Sequence, residues 1–197
     1  MDILEKLFGS RYRAKLLRLF VLNPEDSFQK LEISKRSKIP ANFLRKELNL
    51  LLAIKLIKEK TAFDKYGDTG RRVKVWQLNP MFPLTTSIRS LLNADFLRQR
   101  ADIAKRFKNC GKIRLLVVSG VFISDESRRL DLLLVGEKLK KNNIDGIIKT
   151  IEADVGREIT YAILETEDFL YRSGTSDKFI RDIFDYPHEK IVDKLIF

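Results

Sequence analysis

The chain has 197 residues, 44% of them hydrophobic and 33% charged, with a formal net charge of +11. That apolar fraction is ordinary for a globular protein and excludes a disordered chain, and no run is long and apolar enough to span a bilayer. A single cysteine, Cys110, excludes an internal disulfide, and a single histidine, His188, argues against a zinc site.

The charge is unevenly spread. Residues 1–110 hold 24 Lys+Arg against 11 Asp+Glu, a net of +13, while residues 111–197 hold 14 against 16, a net of −2. Phosphate neutralisation requires cations concentrated on one module, so the first part is the expected nucleic-acid partner. The charged start MDILEKLFGS does not read as a secretory signal. With the lone cysteine, it sets the expectation of a cytoplasmic protein.

Taken in order, residues 10–22 predict a helix with Ser10 as cap. Ala14, Leu16, Leu17, Phe20 and Val21 form its buried side, with Arg11, Arg13, Lys15 and Arg18 outside. Asn23-Pro24-Glu25-Asp26 closes it. From Phe28 to Lys38 a short helix carries Leu31 and Ile33 among Lys30, Lys35, Arg36 and Lys38, and Ile39-Pro40 stops it. Asn42 is then expected to cap a second helix, with Glu47 close behind. In that helix Phe43, Leu44, Leu48, Leu51 and Leu52 recur at helical spacing and predict one buried face. Arg45, Lys46 and Asn49 fall on the other. Alone, this stretch fits an ordinary helical hairpin with a solvated cationic face as well as it fits a helix-turn-helix.

The next residues separate the two readings. Residues 56–61 alternate apolar and polar, FDKYGDTGRR supplies two glycines and a run of cations, and residues 73–78 alternate again. Two helices followed at once by a hairpin with a cationic tip resemble the winged helix-turn-helix of bacterial and archaeal transcription regulators. Lys55 stands where such proteins often carry glycine. The resemblance implies that double-stranded DNA is the partner. Asn42, Arg45, Lys46 and Asn49 would then face base edges in the major groove, and Arg71, Arg72 and Lys74 on the wing would hold phosphates.

After a proline-limited connector, residues 84–107 predict a spacer helix, a candidate dimer contact, ended by Asn109-Cys110-Gly111. Beyond it lie an apolar strand over 113–120, a second over 130–136, a helix over 138–153 and a third strand over 158–164. Thr166-Glu167-Asp168-Phe169 opens a further helix, its acids suited to the helix dipole. Short amphipathic segments over 176–184 and 189–195 finish the chain. Strands followed by helices predict a small α/β domain. The expected architecture is therefore α+β / α/β: a winged helix-turn-helix over 1–80, a linker helix over 81–110 and a small α/β domain over 111–197.

The block from Leu115 to Arg172 resembles the nucleotidyltransferase-like domain of the polymerase-β superfamily. The whole chain resembles predicted regulators that join a winged helix to such a domain. Active members use a Gly-Ser turn for the nucleotide phosphates, with an Asp-x-Asp pair and a third carboxylate for two Mg²⁺ ions. Here the turn is Ser119-Gly120, in reversed order. Arg129 replaces the first aspartate, Asp131 matches the second, and the third position falls near Thr160. Asp125, Glu126 and Glu158 are near in sequence and off the pattern. A cation repels Mg²⁺ and one carboxylate does not hold two ions. The resemblance thus implies a non-enzymatic domain without metal or cofactor, a degenerate nucleotide site at Ser119, Gly120 and Asp131 serving assembly or effector sensing. The expected whole is a DNA-binding transcriptional regulator, a candidate homodimer answering to a small-molecule or protein effector. The alternatives are an active nucleotidyltransferase whose winged helix positions the substrate, and a winged helix that contacts protein or RNA.

Overall fold

A computed structural model of the chain describes residues 3–64, 71–99, 102–123, 125 and 129–195. The hairpin-tip residues Gly67, Asp68 and Gly70, and Glu126 in the second half, lie outside these. The chain divides into two compact units, Met1–Leu92 with Lys149–Arg157, and Asn93–Ile148 with Glu158–Phe197. Among the described residues no helix is long and apolar enough to cross a membrane.

The first unit opens with α1 (Ile3–Phe8) and α2 (Arg11–Val21). Ser10 caps α2 as expected, its hydroxyl accepting from the Arg13 amide. A short β1 (Ser27–Gln29) precedes α3 (Lys30–Ser37) and α4 (Ala41–Ala53). Strands β2 (Ile57–Phe63) and β3 (Arg72–Leu78) pair antiparallel, and β1 adds to the far side of β3, giving the order β1-β3-β2. The core gathers Leu16, Phe20, Phe28, Ile33, Leu44, Leu51 and Trp76. Phe28 lies opposite Trp76 across the sheet and meets Phe20 edge-on at 5.8 Å.

Four expectations change here. Phe28 belongs to β1 and not to the helix, because pairing with β3 carries its ring into the core. Arg18 is buried, its exposure 4%, although its charge argued for the outside. Pro40, not Asn42, caps α4: its fixed φ of −60 suits the position, and its carbonyl accepts from the Phe43 and Leu44 amides. Phe43 is 47% exposed and stacks at 5.0 Å on Tyr12 instead of entering the core.

At Lys55 the geometry asks for glycine and receives lysine. The residue has φ +60, the Lys55 amide bonds to the Leu52 carbonyl, and the Leu56 amide bonds to the Leu51 carbonyl. This is a Schellman ending for α4, which glycine favours on steric grounds. The completely buried Leu56 anchors it.

Helix α5 (Thr85–Gln99) starts in the first unit and runs into the second, which also holds α6 (Ile103–Arg106), where one spacer helix was expected; residues 100–101 lie outside the description. Then come β4 (Lys112–Ser119), a 3-10 turn (Gly120–Phe122), β5 (Leu132–Glu137), α7 (Lys141–Val155) and β6 (Tyr161–Glu165). Helices α8 (Thr166–Gly174) and α9 (Lys178–Asp185) lead to β7 (His188–Asp193). The sheet order is β6-β5-β4-β7, parallel between β5 and β6 and antiparallel elsewhere. The central strands are buried on both faces, which explains their unbroken apolar runs. One face packs Leu115, Val117, Leu133 and Val135 against Phe169, Ile180 and Ile183. The last amphipathic segment is a fourth strand beyond the three expected: β7 pairs antiparallel with β4.

Within the first unit, residues 149–157 dock on α2 and its exit. Lys15 bridges Asp154 at 3.1 Å, the Asn23 amide donates to the Gly156 carbonyl at 2.6 Å, and Arg157 Nε donates to the Leu22 carbonyl at 2.9 Å. Gly156 has φ +78, and a Cβ there would stand 2.6 Å from the Arg18 carbonyl carbon.

Candidate nucleic-acid interface

Helix α4 sorts its side chains by period. Leu44, Glu47, Leu48 and Leu51 are buried, and Asn42, Arg45, Lys46 and Asn49 are exposed on the opposite side. Glu47 is the one charged residue of the buried set. Its carboxylate accepts from Ser10 Oγ at 2.7 Å and from Arg13 Nε at 3.0 Å, fastening the recognition-helix candidate to the start of α2. Arg13 also donates to the Phe8 carbonyl at 2.7 Å. None of Asn42, Arg45, Lys46 and Asn49 has a side-chain hydrogen bond or ion pair within the described residues. Their polar groups are left to solvent or to a ligand.

The hairpin cations are not equivalent. Arg71 and Arg72 are exposed, and Arg72 lies over the exposed Phe63 ring with 5.8 Å to its centroid. Lys74 is exposed as well, yet it bridges Glu59 at 2.7 Å, which compensates much of its charge locally. Lys60, on the other face of the hairpin, donates to Gln77 at 2.6 Å. Arg71 and Arg72 are therefore the stronger candidates of the three for an anionic ligand. Sequence reasoning placed Phe43 in the buried face and passed over Phe63; both rings are exposed, Phe43 against Tyr12 and Phe63 beneath Arg72.

In the second unit Ser119, Gly120 and Asp131 do come together. Ser119 Oγ donates to the Leu130 carbonyl, Gly120 takes φ +56, and the Ser119 amide donates to the Asp131 carbonyl at 2.9 Å. Asp131 is fully buried. Its Oδ1 accepts from the Val121 amide and its Oδ2 from the Thr160 amide, each at 2.9 Å. Hydroxyl and carboxylate thus face the protein's own backbone. Arg129, which the resemblance set at the first metal-ligand position, bridges Asp182 of α9 at 2.7 Å. Among the described residues no three His, Cys, Asp or Glu side chains gather as a metal site.

No family model matches the chain, and no curated protein matches it.

Proposed function

We propose that the protein is a DNA-binding transcriptional regulator acting in the cytoplasm. Its first unit serves as a winged helix-turn-helix, and its second as a nucleotidyltransferase-like domain that does not transfer nucleotides. The observation that carries the reading is the outer face of α4, where Asn42, Arg45, Lys46 and Asn49 stand exposed with no side-chain partner among the described residues. Arg and Asn are the side chains that read guanine and adenine edges bidentately. The chain order α2, β1, α3, α4, β2, β3 and the cationic hairpin support it, as does the +13 of residues 1–110. A homodimer would double the footprint and match a two-fold operator. The fully engaged Asp131 favours the non-catalytic reading of the second unit, which leaves that unit for assembly or effector response.

The test is binding of the full chain to duplex DNA across a salt series. Log affinity should fall linearly with log salt, with a slope of about −0.9 for each phosphate neutralised. Recovery of bound fragments from genomic DNA should return a shared sequence. An affinity insensitive to salt would remove the proposal.

A further inference from the structure

The strands β4 and β5 have two ends, and the Ser119 turn lies at one of them. At the other, where Lys112 lies opposite Glu137, about 20 Å along the strand from Val118, the surface opens into a cavity. Its volume is about 660 Å³, and it is lined by Lys108, Lys112, Lys138 and Lys140 together with Gly111 and Glu137. That volume suits a small ligand.

The backbone is built to bring these lysines together. Gly111 has φ +126, and a Cβ there would sit 2.8 Å from the Lys138 carbonyl oxygen and 2.9 Å from that of Glu137. A Cβ on Gly136 would sit 2.5 Å from the Lys112 carbonyl oxygen. Only glycine at both places lets the two chain segments approach so closely. Lys138 itself takes φ +52, a left-handed conformation that an L side chain adopts at a cost. The Lys140 amide donates to the Cys110 carbonyl at 2.9 Å and fixes the far wall.

The charge on this wall is uncompensated. Glu137 is its one carboxylate, and it accepts from Arg114 Nε at 2.7 Å with Lys112 Nζ at 3.6 Å. Hydrogen bonding by Arg114 holds the Glu137 carboxyl below its usual range, so its charge is already matched. Lys108, Lys138 and Lys140 have no carboxylate within salt-bridge distance among the described residues. All three line the same concavity.

We propose that this cavity binds a small molecule carrying two or more adjacent phosphates, with Lys108, Lys138 and Lys140 as its charge partners. Three ammonium groups lining one small concavity exceed what a single carboxylate or monoanion neutralises, whereas adjacent phosphates present several charged oxygens. The proposal stands apart from DNA binding by α4.

The experiment is lysine acetylation of the full chain, read residue by residue by mass spectrometry. It is run with inorganic tripolyphosphate, with ATP, and with a short single-stranded oligonucleotide. Tripolyphosphate and ATP should protect Lys108, Lys138 and Lys140 and leave Lys178 on α9 unprotected. In calorimetry Lys138→Gly, which suits the left-handed backbone, should weaken tripolyphosphate binding about tenfold, the loss expected for one charged hydrogen bond. Lys108→Gln should act in the same direction, and Lys178→Gln should change nothing. Equal protection of all lysines, or unchanged affinity in both cavity variants, overturns the proposal. Protection by the oligonucleotide alone also overturns it and assigns the wall to a nucleic-acid strand.

Discussion

Asp131 and Thr160 hold each other reciprocally: the Asp131 amide donates to the Thr160 carbonyl at 2.7 Å, and the Thr160 amide donates to Asp131 Oδ2 at 2.9 Å. With Oδ1 on the Val121 amide, one side chain joins the Ser119 turn, the start of β5 and the approach to β6. Asp131→Ala would remove a fully buried carboxylate and leave two part-buried backbone donors without their acceptor. A loss of about 1–3 kcal/mol is expected for each. Chemical denaturation of Asp131→Ala should therefore show strong destabilisation. Nucleotide transfer from labelled ATP, GTP, CTP or UTP with Mg²⁺ or Mn²⁺ should be absent before and after the substitution. Labelling that disappears in a folded Asp131→Ala protein would establish the nucleotidyltransferase alternative.

Ser10 does two things at once, capping α2 and donating to Glu47 of α4. Ser10→Ala should cost about 0.5–2 kcal/mol through the cap alone. Glu47→Gln weakens the bond to Arg13 as well. Because both changes touch one network, a double-mutant cycle should give a coupling of at least about 0.5 kcal/mol. Additive effects would show that the cap and the carboxylate act separately.

The elements most legible in sequence were those whose own period decides burial. Leu44, Leu48 and Leu51 mark the inner face of α4 without any tertiary information, and the runs Leu115–Val118 and Leu132–Val135 mark strands covered on both faces. The failures share a cause, which is long-range pairing. Phe28 between Ser27 and Gln29 makes a strand only because β3 lies alongside, and residues 188–193 do so only because β4 does. Arg18 was placed by its charge, and its neighbours placed it otherwise. Of the candidate sites, the exposed set on α4 could be read from spacing, and the grouping of Ser119 with Asp131 came from the family resemblance. The lysine cavity could be read from neither, since strand register brings its two segments together.

Gly156 is a position where a methyl group meets backbone. Its φ of +78 and the 2.6 Å approach to the Arg18 carbonyl carbon leave no flexible side chain to move aside. Gly156→Ala should destabilise the first unit by roughly 1–3 kcal/mol from overpacking, before the strain at positive φ is added. Thermal unfolding followed through Trp76, which lies in that unit's core, measures the effect.

Cys110 is buried, and that burial raises the pKa of its thiol above the ordinary value of 9.0. The thiolate is the reactive form, so native Cys110 should react slowly with a thiol reagent at pH 8 and rapidly once urea unfolds the chain. With the folded pKa raised, the unfolded chain releases this proton first, so the contribution to stability is present below pH 9.0 and is lost as pH rises beyond it. Rapid stoichiometric labelling of the native protein would show that the cysteine is reached without unfolding.

Under the proposed function the partners of each cation rank its contact with DNA. Arg45 is exposed on α4 and without a side-chain partner among the described residues, so Arg45→Ala should lower affinity and relax preference at one base position, by about 1–3 kcal/mol if its contact is bidentate. Arg71→Ala and Arg72→Ala should weaken all sequences alike and each reduce the salt slope by about 1. Lys74→Ala should weaken binding less, because Glu59 at 2.7 Å already matches that charge in the free protein. Glu59→Gln should then strengthen non-specific binding by releasing Lys74. Selection from a randomised duplex pool, with affinities at two salt concentrations, separates the classes. Unchanged base preference in Arg45→Ala would displace α4 from the reading role, and a Lys74→Ala loss as large as that of Arg71→Ala would refute the ranking by ion pairing.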